Sequence, residues 1–268
     1  MKPGVYKATK KDGTIYYRAS ITYQGKHISL GSFSSESKAH IAYLEAGSII
    51  DSDEENLLNY KHQNSVLSYD KLVSLFNFRD NKIYFKNPIY LQKGYFLYYL
   101  SQSRILKFDN DDLFYYSQHK IQCRGNHLFV AYYGMQCSIL SRFGIKPFSV
   151  AGRDYSFANG DDTDYRYSNI IVINKYHGVQ KEIKNGITKY KSVIHVNGDF
   201  IIGRYSSEEE AAIAYNKASD YCKKMGLKKD FFQNFIEEMS PREYANIYTQ
   251  IHLPSKLIKQ LKISASSE

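Results

Sequence analysis

Gly31-Ser32-Phe33-Ser34-Ser35-Glu36, near the start of the chain, returns near its end as Gly203-Arg204-Tyr205-Ser206-Ser207-Glu208. Outward on the C-terminal side, Ile41-Ala42-Tyr43 and Ala46 answer Ile213-Ala214-Tyr215 and Ala218. On the N-terminal side Gly25 answers Gly198, Ile21 answers Ile194, Tyr17 answers Tyr190 and Gly13 answers Gly186. Gly4-Val5-Tyr6-Lys7 then answers Gly178-Val179-Gln180-Lys181. Order and spacing hold with one-residue gaps only, so the chain carries an internal repeat, one copy near each end.

Each copy predicts three short strands followed by a helix. Gly13 and Gly25 sit where tight hairpin turns require positive φ. Between them Tyr17, Ala19 and Ile21 alternate with Tyr16, Arg18, Ser20 and Thr22, giving one small apolar face and one polar, basic face. In the second copy Tyr190, Ser192 and Ile194 face one way, and Lys189, Lys191, Val193 and His195 the other. Ser-Ser-Glu announces the helix, and Ser207-Glu208-Glu209-Glu210 offers a capping box. Ala39, Ala42, Tyr43 and Ala46, like Ala211, Ala214, Tyr215 and Ala218, recur at helical spacing. That stripe predicts a helix lying close on one face of the sheet, with the other face left open.

These residues, taken as an ordered set, resemble the Apetala-two (ethylene-response-factor) DNA-binding domain over residues 4–48 and 178–220. The set comprises Gly-Val, the aromatic-x-Ala-x-Ile strand, Gly-x-x-x-x-Leu-Gly-x-Phe and the Glu-x-x-Ala-x-x-Ala-Tyr-x-x-Ala helix. The resemblance implies a three-stranded sheet in the DNA major groove with the helix behind it. Its groove-facing positions fall on Tyr6, Ala8, Arg18, Ser20, Thr22, His27 and Ser29. In the second copy they fall on Gln180, Glu182, Lys191, Val193, His195 and Asp199, and Lys10, Lys189 and Arg204 are added as neighbouring cationic contacts. The family's first-strand arginines and tryptophans are replaced by Tyr6, Ala8 and Lys10. Glu182 and Asp199 repel phosphate, although an acid can accept a hydrogen bond from a cytosine amine.

The bulk properties agree with a polyanionic partner. Net charge is +9 over 268 residues and the pI is about 9.1, which favours nucleic acid first and anionic membrane second. No stretch approaches the roughly 18 apolar residues of a membrane span, and Met1-Lys2-Pro3-Gly4-Val5 has no apolar signal region. Cys123, Cys137 and Cys222 are widely spaced, which excludes a disulfide framework or a Cys-x-x-Cys zinc site and fits a reducing cytosol.

Between the repeats, Asp51-Ser52-Asp53-Glu54-Glu55 reads as a solvated helix end or linker. Residues 65–79 suggest a short amphipathic helix, and 82–118 an aromatic-dense run; together 51–118 reads as a helical and aromatic linker. Strands then flank Arg124-Gly125-Asn126, Gln136 to Phe143 looks helical, and a polar loop precedes Ile170-Ile171-Val172-Ile173. Asn159-Gly160-Asp161-x-x-Asp164-x-Arg166-x-x-Asn169-Ile170, in this order of elements, resembles the HNH endonuclease module of phage and intron homing enzymes over about 120–175, a ββα module. That chemistry needs a divalent metal on a phosphate oxygen and a histidine that activates water. The resemblance places that ligand and base on Ser156 and Phe157, and the preceding-helix histidine on Gln136 or Cys137. Asn169 alone survives among the ligand positions. His127, His177 and Asp154 lie off the motif spacing, and Asp161, Asp162 and Asp164 lack EF-hand spacing. The expectation is therefore no catalytic residue, no metal and no cofactor, with Arg153 and Arg166 gripping phosphate.

In the tail, Phe231, Phe232, Phe235, Ile236 and Met239 suggest an amphipathic helix. Ser240-Pro241-Arg242-Glu243 starts another, Pro254 a last one, and Ser264 to Glu268 reads as frayed. The apolar faces are core or a homodimer contact. The whole predicts an α+β chain: two sheet-plus-helix domains (1–50 and 177–225), a degenerate nuclease-like module (119–176) and a helical basic tail (226–268). The expected function is sequence-specific duplex DNA binding, as a transcriptional regulator of a bacterium or phage acting in the cytoplasm on the nucleoid. The rivals are an active homing-type endonuclease and a protein- or RNA-binding module.

Overall fold

A computed structural model describes residues 1–52, 55–147, 149–237 and 239–265, with side chains to 262. Asp53 and Glu54 of the acidic run, and Ser266 to Glu268 of the expected frayed end, lie outside the described residues. The fold is α+β, built from small antiparallel sheets. The chain forms two compact units, Met1–Ile139 with Asp161–Tyr167, and Leu140–Gly160 with Ser168–Glu268.

The first unit begins with the first repeat: β1 (Val5–Thr9), β2 (Ile15–Tyr23), β3 (Lys26–Phe33) and α1 (Glu36–Asp51). The strands pair in sequence order, and the side chain of Ser35 caps α1 by accepting from the Lys38 N–H, an interaction worth about 1 kcal/mol. Ala39, Ala42 and Ala46 are fully buried against Val5, Ala19, Ile28 and Leu30. Their small side chains let the helix backbone approach the sheet. Where α1 ends, Arg79 reaches in from α2 (Tyr69–Asn81) and donates to the carbonyls of Ile49, Ser52 and Glu55. It thereby satisfies acceptors that the helix end leaves open.

The helix expected over residues 65–79 forms as α2, and the aromatic run after it is a folded sheet, β4 (Ile89–Gln92), β5 (Tyr95–Tyr99) and β6 (Ile105–Asp109), followed by α3 (Leu113–Gln118). Phe96, Tyr98, Leu106, Phe108 and Tyr116 are fully buried, so the aromatic density is core. A further sheet follows, β7 (Ile121–Arg124), β8 (His127–Tyr132) and β9 (Met135–Ser138). The helix expected over Gln136 to Phe143 is therefore absent: its first residues pair with β8, and only Ile139–Phe143 coils, as a 3-10 turn.

The second unit starts with the two-stranded β10 (Tyr155–Phe157) and β11 (Ile170–Val172). No helix follows β11 directly, so the expected ββα module lacks its third element; the chain turns at once into the second repeat. That copy is β12 (Val179–Lys184), β13 (Ile187–His195), β14 (Asp199–Tyr205) and α4 (Glu208–Lys224). It repeats the first in detail. Both middle strands carry a bulge, between Ala19 and Ser20 and between Ser192 and Val193. The N–H after each bulge donates to a glycine carbonyl, Ser20 to Gly4 at 3.0 Å and Val193 to Gly178 at 2.7 Å. Both glycines have positive φ, and a Cβ on either would run into a helix tyrosine, Tyr43 or Tyr215. The Gly…Tyr pair in the repeat is thus one steric contact used twice. The capping at α4 differs slightly from expectation: Ser207 accepts from the Glu210 N–H, but Glu210 reaches back to Ser206.

After α4, residues 227–237 are not the expected amphipathic helix. Two asparagines hold this segment open by pairing with backbone in both directions. Asn216 binds the N–H and C=O of Asn234, and Asn234 binds those of His177. These bonds replace the helical ladder, and Phe231 and Ile236 are buried instead as separate anchors. Next come α5 (Pro241–Gln250), which opens with a full Ser240–Glu243 capping box, and α6 (Ser255–Ala265), which includes the Ser264 expected to fray. Leu257 and Leu261 are buried in the core of this unit, and Tyr244, Ile247 and Tyr248 pack partly against it.

Candidate nucleic-acid interface

Helix packing on one side of each repeat sheet leaves the other side open, and strand register decides which side chains share it. On the first sheet Tyr6, Arg18 and Ser32 lie side by side across the three strands, with Ala8 opposite Tyr16 and Thr22 opposite His27. Tyr6 is 55% exposed. Arg18 donates to the Tyr16 hydroxyl at 2.8 Å and lies over that ring. Tyr16, absent from the expected site, therefore aims the guanidinium; the i, i+2 spacing on a strand was the available signal. Lys10, Thr22, His27 and Ser29 are exposed. Ser20 is on this face yet only 7% exposed, because its bulge tucks it against the Gly4 segment, so its expected base contact is not presented. Among the described residues no carboxylate pairs with Lys10 or Arg18.

On the second sheet Gln180, Lys191 and Arg204 share a row, and Glu182 stands opposite Lys189. Here the acid dominates the geometry. Glu182 Oε1 lies 2.7 Å from Lys191 Nζ, and its Oε2 accepts from Arg204 Nε at 2.8 Å. The Lys191 ammonium and then the Arg204 guanidinium hold the Glu182 carboxyl down to about 2. His195 and Asp199 pair at 2.7 Å. Lys189 makes no ion pair among the described residues, while Val193 faces the exposed Ile201. The first face thus presents open cations, whereas the second has two of its three cations matched by an acid.

The central loop is divided. Its outer parts belong to the second unit and Asp161–Tyr167 to the first. In the second unit Asn169, 4% exposed, accepts the Asn159 N–H on its side-chain oxygen at 2.8 Å, and its own carbonyl accepts from Ala158. In the first unit Thr163 and Tyr165 bond the backbone of Lys107 along the edge of β6. Asp161 accepts from both the N–H and the hydroxyl of Thr163. Asp164 is fully buried under Arg166, which donates from Nε at 2.9 Å and from Nη2 at 2.6 Å. Burial alone would push this carboxyl up; the Arg166 bonds and Lys107 outweigh it and hold it low. Arg166, expected on phosphate, is thus committed to a carboxylate inside the fold.

Arg153 is committed in the same way. It chelates Asp154, which also accepts from the Val150 N–H and the Asn174 amide. Ser156 and Phe157 sit in β10 opposite Ile171 and Ile170. Among the described residues no three His, Cys, Asp or Glu side chains come together in a metal-binding group, and no helix is long and apolar enough to cross a membrane. The acids and amides of the loop fix turns and pin strands.

No family model, curated protein or solved structure matches the chain.

Proposed function

We propose that this chain is a non-enzymatic, sequence-specific DNA-binding protein that reads the major groove with the open faces of its two repeat sheets. Regulation of transcription in a bacterium or phage is the role this reading implies. One observation carries it: the same sheet, bulge, Gly–Tyr contact and alanine-lined helix are built twice, each time with the helix on one side and a polar, cationic face on the other. A β surface of this width fits a major groove about 12 Å across. Arg18 and Lys189 are its open cations, Tyr6, Thr22, His27, Ser29 and Gln180 its hydrogen-bonding side chains, and Ile201 and Val193 its apolar contacts to thymine methyl groups.

The central loop supports a binding protein over a nuclease. The loop's polar groups are engaged in structure, Asn169 with Asn159 and Asp164 with Arg166, and Ser156 and Phe157 offer neither ligand nor base. The test is the double variant Arg18→Ala, Lys189→Ala, titrated against a labelled duplex library by anisotropy. The proposal expects at least tenfold weaker binding with an unchanged melting temperature. Unchanged affinity would move the interface off the sheets.

A further inference from the structure

Beside the open face of the second sheet lies a cavity of about 450 Å³ formed entirely within the second unit. Gln180, Val193 and His195 belong both to that face and to the cavity wall; Lys146 and Arg153 approach it from the segment before β10. Its volume falls in the range of small-ligand sites, roughly 300 to 1,000 Å³.

The wall chemistry narrows the ligand. Lys146, Arg153 and Lys229 face Asp154, Asp199 and Asp230, so formal charges balance and a bare anion gains little. Two of the acids are already engaged, Asp154 by Arg153 and Asn174 and Asp199 by His195. The Gln180 amide, the His177 ring and the Lys146 ammonium make no hydrogen bond among the described residues. An amide matches the mixed donor and acceptor edge of a nucleobase. Phe232, 47% exposed and 5.7 Å from the His177 ring, adds a surface on which a base can stack. An ammonium supplies the phosphate contact.

We infer that this cavity binds one nucleotide unit, with its base against Phe232, its base edge on Gln180 and its phosphate at Lys146. The unit is either a free mononucleotide or a nucleotide turned out of a strand lying on the sheet. The second source rests on the DNA-binding reading above, and the first does not. Turning a base out costs a few kcal/mol, least where it is unpaired. His177 provides an internal reporter. Burial lowers its pKa, Asp154 raises it, and Lys229 and Arg153 lower it further; an entering phosphate shifts it upward.

The experiment titrates the full chain with dAMP, dGMP, dCMP, dTMP and inorganic phosphate by calorimetry, while NMR follows the His177 ring. At least one nucleotide is expected to bind ten times more tightly than phosphate and to raise the His177 pKa. Gln180→Ala and Phe232→Leu should each weaken it at least tenfold without changing the fold by NMR. A second arm compares a fully paired duplex with one carrying a single unpaired nucleotide. Preference for the unpaired form, lost in Phe232→Leu, assigns the site to a strand nucleotide; equal binding of the two duplexes alongside mononucleotide binding assigns it to a free nucleotide. If no duplex binds but a mononucleotide does, the DNA-binding reading fails and the cavity stands. If phosphate matches every nucleotide, or if no nucleotide binds and the unpaired duplex is not preferred, the inference is overturned.

Discussion

Replacing Glu182 with glutamine keeps the size of the side chain and removes the charge that holds Lys191 and Arg204. In the native chain the two cations lie 2.7 and 2.8 Å from its carboxylate, so a phosphate must compete with it and also meet its repulsion. Each freed cation that reaches a phosphate steepens log K against log salt by about 0.9 on B-DNA. One freed cation then gives about an eightfold gain at 0.1 M salt relative to the 1 M reference, and two give about sixtyfold with a slope steeper by about 1.8. Glu182 is at the surface, so the fold should be indifferent. The assay is anisotropy of a labelled duplex from 50 to 300 mM salt, native chain against Glu182→Gln. Tighter binding with a steeper slope is expected. Unchanged affinity and slope would take phosphate away from this face, and weaker binding would mean that Glu182 accepts from a base amine, reversing its assigned role as a brake.

Further outcomes follow from the same structure. The Ser192 hydroxyl is fully buried and has no hydrogen-bond partner among the described residues, where the first repeat has Ala19. Ser192→Ala should therefore stabilise the second unit by about 1 kcal/mol or more and Ala19→Ser should destabilise the first, both read by chemical denaturation; a destabilised Ser192→Ala chain would contradict this. Asn169→Ala strands the Asn159 N–H and should cost about 1–3 kcal/mol in a thermal melt while leaving DNA affinity intact. Duplex nicking with magnesium that this substitution abolished would instead favour a nuclease. Asp164 has a lowered folded pKa, so its contribution is complete above the ordinary carboxylate value of about 3.9 and is lost as pH falls through the lower folded value. Asp164→Asn should flatten the acid limb of a stability-against-pH curve, and an unchanged limb would place the acid sensitivity elsewhere.

The repeat was legible because its determinants are local. Turn glycines, strand alternation and the alanine stripe each constrain a few neighbouring residues, and the structure adds the bulge and the Gly–Tyr contact that explain why those letters recur. The β4–β6 sheet was not legible: Phe96, Tyr98 and Phe108 are buried in strands whose short apolar runs carry no distinctive period. Residues 227–237 looked helical by spacing, yet Asn216 and Asn234, distant in sequence from the groups they bind, hold the segment open. The site showed a similar division. Exposed positions such as Arg18 and Thr22 followed from alternation. The pairing of Glu182 with both Lys191 and Arg204 depended on register across three strands, and Arg153 and Arg166 proved to bind carboxylates one and two residues away in sequence.

The central claim is best tested by the affinity of the full chain for one DNA sequence as duplex and as single strands, measured across 50 to 200 mM salt. Binding through the two sheets predicts that the duplex is preferred at every salt concentration and that its affinity falls linearly on a log–log plot. No duplex binding at 50 mM, or single strands bound as well as the duplex, would contradict it.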